Sequence, residues 1–199
     1  GAETARPAEP AAPAPVATGT PTLDRFGRDL TALAARGELG PVVGRRAELL
    51  QVLQTLARAG KSNPLLVGEA GVGKTAVVEA LALRAAQGKD PAVLGGVRIV
   101  ELDLGALLAG TSHRGEFEQR VERLLDEARA HPEVILFLDE LHALAGAGRV
   151  GDGALDAAQL LKPALARGEL RLIGATTPED YARHVEPDAA LARRFERVE

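Results

Sequence analysis

The eight residues Gly68-Glu69-Ala70-Gly71-Val72-Gly73-Lys74-Thr75 fit the spacing G-x-x-x-x-G-K-[ST], which makes a phosphate-binding loop. Glycines let the backbone wrap tightly enough to aim its N–H groups at phosphate oxygens. Lys74 can neutralise charge on the outer phosphates, and the Thr75 hydroxyl can sit on Mg²⁺. A second chemical group, Asp139-Glu140, leaves the apolar run Val134-Ile135-Leu136-Phe137-Leu138. Asp139 is placed to hold Mg²⁺ through water. Glu140 is placed to accept a proton from, or orient, a water attacking a γ-phosphate. The two strings together describe an ATPase site, with ATP or ADP and Mg²⁺ as its cofactors.

Two further groups admit two readings each. Thr177 can hydrogen-bond a γ-phosphate or the attacking water. It also heads Thr177-Pro178-Glu179-Asp180, an N-cap hydroxyl followed by Pro and two acids, so helix capping alone accounts for it. Arg193-Arg194 read either as a solvated helix end or as cations reaching a γ-phosphate bound by a neighbouring subunit, where they would stabilise transition-state charge.

These residues need a frame that brings them to one place, and the hydrophobic pattern provides it. Strands are predicted over 64–68, 97–102, 134–138, 170–175 and 195–198, with helices over 29–35, 46–58, 74–87, 116–130, 155–161 and 178–184. The 134–138 run is apolar without alternation, as a parallel strand covered on both faces requires. Strand–helix alternation implies a parallel sheet in a layered α/β fold, whose ligands bind beyond the carboxyl ends of the strands. The phosphate loop, Asp139, Glu140, Thr176 and Thr177 all fall at such ends. The loop also runs into the helix at 74–87, so an anion there meets a helix N-terminus.

Composition narrows the function classes. The chain has 199 residues, 46% of them hydrophobic and 26% charged, with a net charge of −4 and no Cys. A disulfide framework and thiolate metal sites are excluded. Four Phe and one Tyr are the only aromatic residues, too few for the basic face with stacking rings that a nucleic-acid binder needs. No apolar run approaches the roughly 18 residues of a membrane span. Neither nucleic acid nor membrane is therefore expected as a partner, and a cytoplasmic location is expected. Residues 1–22 hold seven Ala and five Pro, without apolar periodicity, and read as a linker that either tethers another part or is an inconsequential tail. The globular part is expected over 23–199.

The ordered string of motifs resembles the first ATPase module of the Clp unfoldases and disaggregases (ClpA, ClpB, ClpC). The resemblance rests on Pro41-Val42-Val43-Gly44-Arg45, Asn63-Pro64 before the loop, Arg114-Gly115-Glu116-Phe117-Glu118, Asp139-Glu140-Leu141-His142 and Gly146-Ala147-Gly148. It extends through the run from Leu161 to Leu170, then Gly174-Ala175-Thr176-Thr177 and Ala190-Leu191-Ala192-Arg193-Arg194-Phe195. The resemblance implies an AAA+ phosphate-loop fold: a three-layer α/β/α sandwich around a five-stranded parallel sheet, here without the α-helical lid. It also implies a homo-hexamer that threads unfolded or aggregated polypeptide through a central pore, with a possible protease or co-chaperone partner. Val42, Val43 and Gly44 would line the adenine pocket. Gly68, Glu69, Ala70, Gly71, Val72, Gly73, Lys74 and Thr75 would hold the phosphates. Asp139 would be the metal-side acid, Glu140 the catalytic glutamate, Thr177 the γ-phosphate sensor, and Arg193 and Arg194 arginine fingers acting on the next subunit.

The same resemblance places a pore loop at 109–115, with Ser112, His113 and Arg114 at its tip, and a second pore-facing loop at 148–153. The family commonly carries Tyr where this chain has His113, whose imidazole is smaller and more polar, so either this ring grips substrate weakly or His113 is a tolerated loop residue. A chain ending at Glu199 is expected to be mainly monomeric and slow in hydrolysis. Two other readings remain. One is a specialised remodeller such as the Clp ATPases that disassemble contractile secretion sheaths, which share the 161–170 run and often lack the pore Tyr. The other is a nucleotide-gated scaffold that assembles without threading.

Overall fold

In the computed structural model the structure describes residues 18–58, 63–145 and 151–199. The described elements run α1 (Pro21–Phe26), β1 (Gly27–Asp29), α2 (Leu30–Ala35), α3 (Arg46–Ala57), β2 (Asn63–Val67), α4 (Lys74–Ala86), α5 (Pro91–Leu94), β3 (Arg98–Leu102), α6 (Leu104–Leu108), α7 (Arg114–Ala130) and β4 (Val134–Leu138). A 3₁₀ turn (Leu141–Ala145) follows, then α8 (Gly151–Ala166), β5 (Leu172–Thr176), α9 (Pro178–Asp180), a π turn (Tyr181–Val185), α10 (Ala189–Ala192) and β6 (Phe195–Val198).

One sheet in the order β1-β3-β4-β5-β2-β6 organises them. Five strands are parallel, as the alternating pattern required, and β2, β4 and β5 are buried along their whole length. Adjacent residues of one strand serve opposite layers. Leu136 and Leu138 pack with Phe117, Val121 and Leu124 of α7, whereas Ile135 and Phe137 pack in the core that holds Val77, Val78 and Leu81 of α4. That division makes the three-layer sandwich.

Among the described residues the sheet has six strands rather than five. β1 pairs antiparallel with β3, Gly27 opposite Leu102 and Asp29 opposite Val100. Its three residues, Gly-Arg-Asp, carry no apolar alternation, so only the partner strand makes them a strand. The boundary expected at residue 22 also moves. Helix α1 begins at Pro21, and Thr20 and Thr22 are buried. Glu127 of α7 supplies the cap, its carboxylate accepting from the backbone N–H groups of Thr22 (2.7 Å) and Leu23 (2.9 Å). Residues 1–17 lie outside the described residues, as do Gly146-Ala147-Gly148 and the first part of the segment 148–153, whose remainder opens α8.

Two helices beyond β4 depart from their expected spans. The helix expected over 155–161 is α8, which runs through Pro163 to Ala166 because Leu161, Ala164 and Leu165 are buried in the core and hold the last turn. The one expected over 178–184 closes after a single turn as α9 and widens into the π turn, where the Glu186 N–H donates to the Tyr181 carbonyl at 2.8 Å. Asn63 ties three strands together at the amino edge of the sheet, opposite the site. Its side chain accepts from the Leu172 N–H (2.9 Å) and donates to the Arg194 carbonyl (3.2 Å), linking β2 to its neighbours beside Pro64, which has no N–H of its own.

Candidate nucleotide site

The phosphate loop joins β2 to α4. Its first residue is pinned to the sheet, since the Gly68 N–H donates to the carbonyl of Thr176 at the end of β5 (3.1 Å). Gly71 (φ +81°) and Gly73 (φ +93°) take the left-handed conformation that side chains resist. Gly73 is also the residue before α4, and a Cβ there would lie 2.6 Å from Nη2 of Arg45. This close approach seats the segment containing Val42, Val43 and Gly44 beside the loop. The Lys74 ammonium arches over the loop and donates to the carbonyls of Gly68 (2.5 Å) and Glu69 (3.0 Å).

A cleft of about 410 Å³ opens at the carboxyl ends of β2, β4 and β5. The loop contributes Ala70, Gly71, Gly73, Lys74 and Thr75 to it, and β4 contributes Asp139 and Glu140. His142, Thr176, Thr177 and Asp180 complete its wall. Glu140 has φ +53°, left-handed for a residue with a full side chain, and its N–H donates to Oδ1 of Asp139 (2.8 Å). The Glu140 carbonyl then accepts from the Ala143 N–H (2.9 Å), starting the 3₁₀ turn. The chain thus reverses sharply as it leaves β4, and both carboxylates stay exposed at the cleft.

Thr177 serves as a cap and also lines the cleft. Its Oγ1 accepts from the Asp180 N–H (3.2 Å), and its hydroxyl donates to Oδ2 of Asp180 (2.9 Å). Sequence reasoning left His142 and Asp180 out of the site. The available signals were their positions: His142 two residues beyond Glu140, and Asp180 three beyond Thr177. The His142 Nδ1 lies 3.1 Å from the Thr176 hydroxyl and 3.6 Å from Oδ2 of Asp180.

Val42, Val43 and Gly44 line a separate cleft of about 820 Å³ with Leu49, Leu83 and Arg84. Val43 is 87% exposed at its mouth, apolar surface suited to a flat heterocycle. Arg193 and Arg194 do not line the cleft that holds Lys74. Arg193 is exposed at the end of α10, while the Arg194 guanidinium donates to the Ala166 carbonyl at the end of α8. Ser112, His113 and Arg114 stand apart from both clefts, at the start of α7. His113 is the N-cap, its Nδ1 accepting from the Glu116 N–H (3.2 Å), and the Glu116 carboxylate accepts from the Ser112 N–H (3.0 Å). This reciprocal pair starts α7 at Arg114, two residues earlier than the apolar pattern indicated. Arg114 donates to Glu118 one turn on (3.0 Å).

Among the described residues no group of three or more His, Cys, Asp or Glu side chains converges as a metal cage. Thr75 and Asp139 in one cleft nonetheless suit Mg²⁺, a hard cation that keeps several waters and takes few protein oxygens alongside phosphate. No described helix is long and apolar enough to cross a membrane.

A phosphate loop between a buried parallel strand and a helix, facing an acidic pair at the end of β4 across the intervening β5, defines a phosphate-loop ATPase domain. Residues 64–199 match the ATPase family associated with various cellular activities (AAA), and the chain belongs to that family. Chaperone protein ClpC2, chloroplastic, from Arabidopsis thaliana is 54% identical over 178 residues, covering 89% of this chain and 19% of the relative. The ATP-dependent Clp protease ATP-binding subunit ClpA homolog of Guillardia theta is 54% identical over 179 residues, covering 90% of this chain and 22% of the relative. The solved S. cerevisiae Hsp104-ADP complex superimposes with a TM-score of 0.77 at 44% identity, covering 88% of this chain and 24% of that one. A closed state of Hsp104 with ATPγS and FITC casein also gives 0.77, at 43% identity, covering 89% and 31%. The chain spans about one fifth of the length of the curated relatives it matches. The Clp-type resemblance read from the motifs agrees with these relatives.

Proposed function

We propose that this chain is the ATP-binding and ATP-hydrolysing module of a Clp-type protein remodeller that works as a hexamer and threads polypeptide through a central pore. One observation carries the reading: Lys74 and Thr75, Asp139 and Glu140, and Thr177 come from three strand ends and meet in a single cleft. The loop from Gly68 to Thr75, with Glu69, Ala70 and Val72 as its spacer residues, offers backbone N–H groups and a helix N-terminus to the phosphates. Lys74 exchanges its loop carbonyls for phosphate oxygens. Thr75 and, through water, Asp139 hold Mg²⁺, which supplies charge neutralisation on the phosphates. Glu140 orients the attacking water and accepts its proton. Thr177 reports the γ-phosphate, and Val42, Val43 and Gly44 receive the adenine through backbone atoms.

Arg193 and Arg194 lie off their own chain's cleft, which fits action on the next subunit's nucleotide in a ring. Ser112, His113 and Arg114 form the substrate-facing tip. The Hsp104 structure containing casein supports a polypeptide client for this module as well. His113 favours a second reading, a specialised remodeller such as a sheath-disassembling Clp ATPase, because its ring is engaged in capping α7 rather than standing free as a grip.

Nucleotide binding and turnover of the parent chain, Lys74→Ala and Glu140→Gln test the proposal. Lys74→Ala should lose ATP binding. Glu140→Gln should keep binding and lose about 100-fold or more of turnover, the usual contribution of a positioned base. Undiminished ATP binding by Lys74→Ala would overturn the assignment.

A further inference from the structure

We propose that His142 is a positioning residue for the terminal phosphate: it holds Asp180 when Thr177 turns its hydroxyl toward nucleotide. The inference rests on the nucleotide-site reading above and concerns how that site tells a triphosphate from a diphosphate.

The starting point is a carboxylate in an unexpected place. Asp180 lines the cleft that holds Lys74 and Thr75, where a bare negative charge would repel phosphate. Among the described residues it pairs with no Lys or Arg. Its carboxylate meets the Thr177 hydroxyl at 2.9 Å and the His142 ring at 3.6 Å. The Thr177 hydroxyl has one proton. In the present arrangement that proton is committed to Asp180, and the Thr177 oxygen is occupied in accepting from the Asp180 N–H. Thr177 can donate to a γ-phosphate oxygen only by withdrawing its proton from Asp180, which leaves the carboxylate without a donor beside the incoming charge.

His142 is built to fill that gap. Its side chain is 17% exposed, and its Nδ1 sits between the Thr176 hydroxyl (3.1 Å) and Oδ2 of Asp180 (3.6 Å). Thr176 is 2% exposed, so its hydroxyl requires a partner and keeps the ring in place. The backbone is equally fixed. Leu141, the preceding residue, packs so closely on β5 that a Cβ at Gly174 would come within 3.1 Å of it, and the Thr176 carbonyl anchors the first residue of the phosphate loop. With its proton on Nε2, the ring accepts from Thr176 and Thr177 serves Asp180. With its proton on Nδ1, the Thr176 oxygen turns from donor to acceptor of that N–H, the same N–H points toward Asp180, and a shift of a few tenths of an ångström completes the second bond. The Thr177 proton is then released to the cleft. The tautomer of His142 and the direction of the Thr177 hydroxyl are therefore linked through one shared carboxylate.

A diphosphate leaves the Thr177 proton where it is, so His142 matters for ATP and not for ADP. Affinities for a non-hydrolysable ATP analogue and for ADP, measured calorimetrically on this chain, test the idea. His142→Ala should weaken the analogue about 10-fold or more, the effect of losing one hydrogen bond to a charged group, and leave ADP unchanged. His142→Asn, whose amide places an N–H near the position of Nδ1, should keep the parent preference. Adding Asp180→Asn to His142→Ala should restore analogue binding, because no charge is then left without a donor. A merely structural role would weaken both nucleotides together and show no such rescue, and that result, or an unchanged analogue affinity in His142→Ala, overturns the inference. A parent chain that binds neither nucleotide overturns the site reading itself.

Discussion

Replacing Glu140 should separate stability from chemistry at this site. Its φ of +53° puts a side-chain-bearing residue in the left-handed region, which costs about 1–2 kcal/mol relative to the right-handed conformations. The hydrogen bond from its N–H to Asp139 and the one from Ala143 to its carbonyl hold it there. Asn tolerates this conformation, so Glu140→Asn should recover about 1 kcal/mol of the strain. Glu140→Gln keeps the strain and removes only the charge. Glu140→Gly relieves strain but gives back about 0.5–1 kcal/mol through the greater freedom of glycine in the unfolded chain. For a chain of this size 1 kcal/mol corresponds to roughly 2–4 °C in melting temperature. Differential scanning calorimetry should therefore rank Glu140→Asn above Glu140→Gln by that amount, with Glu140→Gly between them, and none should turn over ATP at the parent rate. If Glu140→Asn melts at or below Glu140→Gln, the bend after β4 stores no strain and the argument fails.

Three other perturbations probe the frame that carries the site. Asn63→Ala leaves the buried Leu172 N–H without its acceptor, so urea unfolding should show a loss of about 1–3 kcal/mol; an unchanged midpoint would mean that the side-chain stitch is dispensable. His113→Ala should cost about 1 kcal/mol by uncapping α7, and His113→Ser should restore it; failure of Ser to rescue would show that the ring acts otherwise. Glu169 is held down to about 2 by hydrogen bonds from Arg167 and Arg129. A carboxylate lowered from 4.5 in this way adds stability that is complete above its ordinary range and is lost as pH falls toward 2. Between those values the melting temperature of the parent should fall more steeply than that of Glu169→Gln, and parallel curves would refute the linkage.

Much of the fold was legible because the decisive signals are contiguous. The 134–138 strand coincides with β4 residue for residue, since an apolar run between turn residues states its own burial, and the expected 195–198 strand coincides with β6 although two of its four residues are charged. The helix at Lys74 was equally plain, opened by a glycine that could not lie inside it. Elements with no pattern of their own were not visible. β1 has three non-apolar-patterned residues and exists because β3 offers an edge. Helix α1 depends on a cap from Glu127, on a distant helix. Helix α8 crosses Pro163 because packing overrides local preference.

The same division runs through the candidate site. The sequence by itself determined the phosphate loop, the acidic pair and the strand ends that bear them, because each is a short string whose chemistry and backbone needs are local. Only the tertiary structure decided that Arg45 closes over Gly73, that Arg194 is engaged by the carbonyl ending α8, and that His142 faces Asp180 beside Thr177. Those contacts join separate loops at the carboxyl edge of the sheet, and the strand order that juxtaposes the loops is set by burial across the whole domain.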